Sequence, residues 1–550
     1  MIGVIATNIT SPLGFTTEEN YQAVLSGCSA LKRYDGLWEL PEPFAASLFS
    51  EEQKQELAIS GHTFFEALAI RSIREALSHT RLDVTSPRVV LILSTTKGDI
   101  GSSPSDAAQT IAKTVGVTTK PIVVCNACVS GLSAQLLANS LLSADFYDYA
   151  IVVGAEVQSK FIVSGFQSLK AISEEPCRPF DIERNGLNPG EAAATIIYKA
   201  PLQTSLVKGA GEEAAWHLIS GAVRNDAYHN VSPSPQGDGL TNAINAVMIG
   251  RDKSQLATVC VHGTATLYND QMESKAIQRT KLSDIPLSAL KGFYGHTMGA
   301  AGVLETILTM RATDDGIVLS SKGFTELGVS GKVCICGTSQ KTDKRAFLKL
   351  MSGFGGCNVA ALYAKDAIQV SESTNSKGSS QWLKTNTIRI SSEDGKSLTE
   401  IYKQQIGDYP KFYKMDILSR LAFVAVEKLS EEFSLPLREG WGGSIILFNH
   451  SSSIVSDRQF LSTISGAEFF PSPSVFVYTL PNIAAGEVAI RHHLQGETSF
   501  YILPDKDEAL MQQILEASLR ALGATSAICG WIDAESETNY ECELSMYTIT

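Results

Sequence analysis

Three short runs of this chain carry the side chains best suited to covalent chemistry. Cys128 lies in Pro121-Ile-Val-Val-Cys-Asn-Ala-Cys-Val-Ser-Gly131. His262 opens His262-Gly-Thr-Ala-Thr-Leu-Tyr-Asn-Asp270, and His296 sits in Lys291-Gly-Phe-Tyr-Gly-His-Thr-Met-Gly-Ala-Ala-Gly-Val-Leu-Glu305. A thiol is a nucleophile for acyl transfer, and imidazoles move protons or stabilise developing negative charge. Cys125 and Cys128 also form a C-x-x-C, which raises redox and zinc readings. Zinc needs further ligands, ordinarily a second close pair. Cys334 and Cys336 are too tightly spaced to supply it, so no metal site is expected. A dithiol would leave both histidines without a role.

The flanking residues predict how these groups are held. Ile122–Val124 is a β-branched run suited to a buried strand. Downstream of Cys128, Leu132, Leu136 and Leu137 fall at helical spacing. A thiol at a strand-to-helix turn meets the positive end of the helix dipole, so the thiolate is expected to be favoured. Val259–His262 reads as a buried strand ending on the histidine, and small residues around His296 permit close approach. A single histidine is more often a satisfied core residue; two in such distinctive contexts argue against that. The glycine-rich Met351-Ser-Gly-Phe-Gly-Gly-Cys-Asn358 has neither phosphate-binding register.

The Cys128 run, His-Gly-Thr-x-Thr, Gly-His-Thr and Gly-Phe-Gly-Gly together resemble the β-ketoacyl synthases, the condensing enzymes of fatty-acid and polyketide assembly. The resemblance covers residues 1–365 and implies a thiolase-like α/β fold, two similar halves in five αβαβα layers. It implies decarboxylative condensation of an acyl thioester with a malonyl thioester on acyl carrier protein, giving a 3-oxoacyl product. Cys128 would carry the acyl group and His262 and His296 would stabilise the enolate. Lys291 and Glu305 would form a supporting polar layer, and Thr264 and Thr266 would contact pantetheine. Phe354 would be a gate whose backbone amide joins that of Cys128 in an oxyanion hole. No cofactor is implied beyond the phosphopantetheine of the carrier protein. Partners would be acyl carrier protein and a second synthase, as a homodimer or as a heterodimer with a chain-length-factor-like subunit. A non-catalytic chain-length factor is the rival reading, opposed by retention of Cys128, His262 and His296. A thiolase is another, for which Cys357 would be the second cysteine; the loop lacks a thiolase-like Cys-Gly-Gly-Gly.

Bulk properties agree. A chain of 550 residues with 44% hydrophobic and only 19% charged composition can bury large cores in more than one domain. The net charge of −13 argues against nucleic acid. No apolar run reaches the length of a membrane span, and ten cysteines in so long a chain, several in apolar surroundings, suggest a reduced, cytoplasmic setting.

Residues 366–385 read as a polar linker. Beyond it, 386–550 resembles the N-terminal half of the same fold, degenerate and without a nucleophile. Met415–Leu429 parallels the helix Phe64–Leu77, Ser444–Phe448 the strand Val89–Leu93, and Ala524–Gly530 the strand Asp148–Gly154. The position matching Cys128 falls on Pro504 or Lys506. His492 and His493 read as helical. An unpaired half should carry an uncovered apolar face, so it is expected to dock on the synthase core or on a second subunit.

Overall fold

The computed structural model describes residues 1–201, 216–365, 382–433, 443–465, 469–522 and 526–549. Two sheets form the first module, joined edge to edge in one hydrogen-bonded array where Ile2–Val4 pair with Trp216–Leu218. One joins Ile2–Thr10, Ala192–Lys199, Tyr149–Glu156, Val89–Ser94 and Ile122–Val124; the other joins Trp216–Asn225, Cys357–Ala364, Ala346–Gly353, Leu256–Cys260 and Pro286–Ser288. Between them lie the helices Ser130–Ser143 and Met298–Asp314, each touching both sheets. Both are buried along most of their length and are largely apolar or small on every side, with Gln135 and Glu305 as buried polar exceptions, as suits a helix sandwiched on two sides. Their backbones nearly touch: a Cβ on Gly302 would come within 2.7 Å or less of Leu132 N, and one on Gly131 would meet Gly299 O at 2.7 Å. Phe64–Ser78 and Pro104–Val115 cover one outer face, and Asp238–Met248 and Leu267–Arg279 the other. Helix, sheet, helix, sheet, helix gives the five layers expected.

The C-terminal residues add a third sheet, in the order Thr498–Ile502, Ser444–Asn449, Ser526–Ser536, Asn539–Ile549, Trp382–Ser391. Ser444–Asn449 runs parallel between Thr498–Ile502 and Ser526–Ser536. Val89–Ser94 sits in the same way between Ile122–Val124 and Tyr149–Glu156. Helix Ile417–Glu432 occupies the place matching Phe64–Ser78. The third sheet is not free. Tyr501 and Ile502 pair antiparallel with Val124 and Val123, which closes the open edge of the first sheet. Helix Glu508–Leu522 packs on Ser130–Ser143, so the apolar face expected to seek a partner finds it within the same chain.

Two local expectations shift. Of the linker 366–385, residues 366–381 lie outside the described residues. Residues 382–385 belong instead to strand Trp382–Ser391, where hydrogen bonding to Asn539–Ile549 overrides a polar sequence. Helix Ile483–His492 ends at His492, and His493 takes a left-handed conformation with φ 54°. Among the described residues no helix is long and apolar enough to cross a membrane.

Candidate active site

Cys128 is set by a tight turn between strand Ile122–Val124 and helix Ser130–Ser143. Ala127 takes φ 49°, an uncommon conformation for a residue with a side chain. Ser130 fixes the turn: its Oγ donates to Ala127 O at 2.6 Å and accepts from Asn126 N at 2.8 Å. The thiol is buried at the base of a cavity of about 330 Å³ lined also by His262, His296, Thr264, Thr266 and Phe354. One donor atom each from Cys128, His262 and His296 lie within 4.8 Å of one another. The two imidazole rings are 5.1 Å apart at 79°. Residues separated by 134 and 34 positions in the chain thus converge on one point.

The electrostatics correct one expectation. Burial pushes the Cys128 thiol up to about 12, outweighing the nearby Lys291 charge and the backbone amides of Cys128 and Phe354. The resting group is a thiol, since desolvation in a closed site overrides a helix end. Cys125 is pushed up to about 12 as well, and its thiol points at Thr96 O, 3.4 Å away. Neither cysteine has the low pKa of a redox pair. Cys357 lies outside the cavity lining, its thiol 3.2 Å from Thr498 Oγ1.

Both histidines are neutral. Burial holds them well below 6.5, and the Lys291 and Lys349 charges act in the same direction. His296 Nδ1 accepts the backbone N–H of Met298 at 3.3 Å, which leaves its proton on Nε2. That nitrogen is buried and has no hydrogen-bond partner among the described residues. A protonated Nε2 suits an incoming oxygen better than a metal ion. The strand before His262 is Leu256–Cys260; it begins earlier than expected and ends two residues before the histidine, where the chain turns to meet carboxylates. Glu273 accepts from His262 N at 2.6 Å and Gly263 N at 2.9 Å, and Asp270 accepts from Thr264 N at 3.0 Å. Thr264 Oγ1 and Thr266 Oγ1 lie 2.9 Å apart on the cavity wall.

Lys291 and Glu305 meet beneath the histidines. Lys291 Nζ donates to Glu305 Oε1 at 2.7 Å and to His262 O at 2.6 Å. Lys349 Nζ completes the group at 2.5 Å from Glu305 Oε2. Burial alone would raise the Glu305 carboxyl, but two ammonium groups overcome it and hold it below its ordinary value. Sequence reasoning missed Lys349, a lone lysine inside the strand Ala346–Gly353; the signal was a charge in an otherwise buried run. It also missed Asp270 and Glu273, whose one-turn spacing on helix Leu267–Arg279 was visible. Glu156 was missed too. It accepts from Thr96 N and Gly299 N, and burial pushes it up to about 7.

Behind Phe354 a second, smaller cavity of about 20 Å³ touches Cys128, Ile162, Phe166, Met298 and Phe476. Phe476 belongs to the C-terminal residues. Its ring packs against Phe166 at 5.4 Å and so close to Gly165 that any Cβ there would overlap it. Lys97, also on this cavity, is buried and paired with Asp457 at 2.6 Å.

Comparison with known proteins follows this geometry closely. The β-ketoacyl synthase N-terminal domain matches residues 84–201 and the β-ketoacyl synthase C-terminal domain matches 217–325. Over these residues the chain is similar to the two halves of β-ketoacyl synthases. The 3-oxoacyl-[acyl-carrier-protein] synthase 2 of Mycobacterium leprae is 29% identical over 250 residues, 43% of this chain and 59% of that protein. The tetracenomycin polyketide synthase ketoacyl synthase alpha subunit of Streptomyces glaucescens is 27% identical over 48% of this chain and 64% of its own length. The chain thus spans about three-fifths of these two relatives. Among solved structures, the PfaC keto synthase–chain length factor aligns over 100% of this chain and 78% of its own, at 12% identity and TM-score 0.79. A β-ketoacyl synthase from Burkholderia phymatum aligns over 66% of this chain and 98% of its own, at 21% identity and TM-score 0.59. These two share the thiolase-like fold.

Proposed function

We propose that this chain is a 3-oxoacyl-[acyl-carrier-protein] synthase, an acyltransferase that performs decarboxylative Claisen condensation. The observation that carries the reading is the convergence of one thiol and two neutral imidazoles at the base of a single cavity. Cys128 Sγ attacks an acyl thioester; the carbonyl oxygen is received by the amides of Cys128 and Phe354, and the thiol proton leaves on the departing pantetheine sulfur. Because the resting thiol is protonated, attack and proton loss are coupled. A malonyl thioester then enters. Carbon dioxide departs, the enolate oxygen takes hydrogen bonds from His262 and His296, and C2 attacks the acyl-Cys128 carbonyl. The carbon–sulfur bond to Cys128 breaks, the departing sulfur takes a proton from water to return to the thiol, and a 3-oxoacyl thioester two carbons longer is released.

Neutral imidazoles suit that task, since each offers an N–H and neither brings a charge that must be neutralised first. Lys291, Lys349 and Glu305 position the His262 backbone. Thr264 and Thr266 line the entrance where the pantetheine arm of acyl carrier protein would lie. No cofactor is needed beyond that arm. The C-terminal residues serve as wall to the acyl pocket through Phe476, in the place a chain-length-factor-like partner would otherwise take. The test is intact-mass analysis after incubation with acyl- and malonyl-carrier protein. Cys128 should gain the acyl mass, and a product two carbons longer should follow; an unmodified chain under both conditions would refute the reading.

A further inference from the structure

The glycine loop that carries Phe354 is tied to C-terminal residues, once directly through Asn482 and twice through the intervening Asn230 and Asn225. Asn482 Nδ2 donates to Phe354 O at 2.9 Å. Gly355 N donates to Asn230 O at 2.7 Å, and Asn230 Nδ2 in turn donates to Glu487 Oε1 at 2.5 Å. Asn225 Nδ2 donates to both Gly355 O at 2.8 Å and Thr498 Oγ1 at 2.9 Å. The fit is close: a Cβ on Gly355 would meet Asn482 Nδ2 at 2.7 Å, and one on Gly486 would meet Gly355 O at 2.9 Å. Glu487 is itself locked by Lys411 Nζ at 2.7 Å and Tyr478 Oη at 2.8 Å.

Of these ties only Asn482 acts on Phe354 directly. It is 3% exposed, and among the described residues its amide oxygen has no partner, so within them the bond to Phe354 O is the side chain's one hydrogen bond. Fixing that carbonyl restrains rotation about the Phe354 backbone. The same residue supplies the amide beside the Cys128 sulfur and the ring that packs on Phe166 at 6.1 Å.

We infer that Asn482 is a positioning residue for the thiol chemistry: it holds the Phe354 carbonyl so that the Phe354 amide stays aimed at Cys128. The C-terminal residues then govern the rate at which Cys128 is acylated, in addition to shaping the pocket. The inference rests on the proposed function only for the nature of the acyl donor. An oxyanion donor is worth about a hundred- to a thousandfold in rate when removed. Misplacing one should cost less, about tenfold or more.

The deciding variant is Asn482→Asp, which keeps the shape and replaces the donor by an acceptor facing the Phe354 carbonyl. In the full chain, hydrogen exchange at the amides of 354–356 should accelerate and acylation of Cys128 by an acyl-coenzyme A should slow about tenfold or more at saturating donor, with KM little changed. Asn482→Ser retains a donor and should recover part of the rate; it also serves if Asn482→Asp does not fold, when wild-type behaviour of both Asn482→Ser and Asn482→Ala would overturn the inference. Unchanged exchange, or faster exchange with unchanged acylation, would overturn it as well. A wild-type chain that takes no acyl group refutes the functional reading instead, and the exchange rates then decide the Asn482 contact by themselves.

Discussion

The molecule contains the same strand-turn-helix unit twice, side by side. In the first, Ile122–Val124 leads through Cys128 into helix Ser130–Ser143. In the second, Thr498–Ile502 leads through Leu503–Asp507 into Glu508–Leu522. The strands pair with each other and the helices pack on each other. The first turn is buried, held by Ser130, and opens onto two histidines. The second carries Pro504 and Lys506, and its Asp505 and Asp507 face outward to Lys120. The frame is therefore not the catalyst. What distinguishes the halves is the turn's side chain and the imidazoles that a second sheet brings to it; the C-terminal half has no such second sheet among the described residues.

The strongest way to break this comparison is to exchange the turns. Cys128→Ala should abolish acyl-enzyme and product while leaving the thermal transition near that of wild type. Adding Lys506→Cys to that variant should restore nothing, because no histidine faces the second turn. An acyl adduct on residue 506, read by peptide mass mapping, would show that the frame suffices after all.

Next in size is the buried charge group under the histidines. Lys349→Met leaves Glu305 with one cation where it had two. Breaking a buried pair in this way costs about 3–5 kcal/mol, so the denaturant midpoint should drop sharply. A change below about 1 kcal/mol would mean that Lys291 alone satisfies Glu305.

The histidines sharpen the comparison from the side of chemistry. His262→Ala or His296→Ala should slow malonyl decarboxylation about a hundred- to a thousandfold and acylation of Cys128 much less. Equal losses in both steps would unseat the assigned division of labour. Their titration gives a further reading. Both are held well below 6.5 in the folded state, so below pH 6.5 the unfolded chain takes up protons that the folded chain refuses. Stability conferred by the neutral imidazoles is present above 6.5 and falls by up to about 1.4 kcal/mol per unit for each as pH drops. Glu156 and Glu273, pushed up to about 7, run the opposite way between 7 and 4.5. A His262→Asn/His296→Asn variant should therefore gain on wild type in urea titrations as pH moves from 6.5 to 5, and a constant difference would contradict neutral burial.

The smallest effect belongs to the second turn. Lys120 reaches Asp505 and Asp507 at 2.8 Å across the seam, but in solvent. Lys120→Met should change stability by less than about 1 kcal/mol. A larger loss would make this exposed contact a main fastener between the halves, a role here given to the strand pairing and the apolar seam.

The groups that converge in the cavity were legible because each sits in a run with distinctive neighbours: small residues by His296, threonines after His262, a β-branched strand before Cys128. The three parallels between the C-terminal residues and the first half were legible for a similar reason, since helical and strand periodicities repeat in the same order. The supporting groups were not. Lys349 meets Glu305 across 44 residues, and Asn482 meets Phe354 across 128. Each looks ordinary in its own segment. The state of the thiol was misread, because a helix end is visible in a sequence while the desolvation that outweighs it depends on how deeply the turn is buried.

Local pattern determined many of the elements, the candidate thiol and imidazoles, and the repeated strand and helix order after residue 385, since these depend on side-chain chemistry and periods of two and 3.6 residues. The tertiary structure alone decided that the two halves share an edge, that Phe476 lines the small cavity behind Phe354, and that burial raises the Cys128 thiol. Those outcomes follow from burial and close packing between segments up to several hundred residues apart, which no local run of sequence contains.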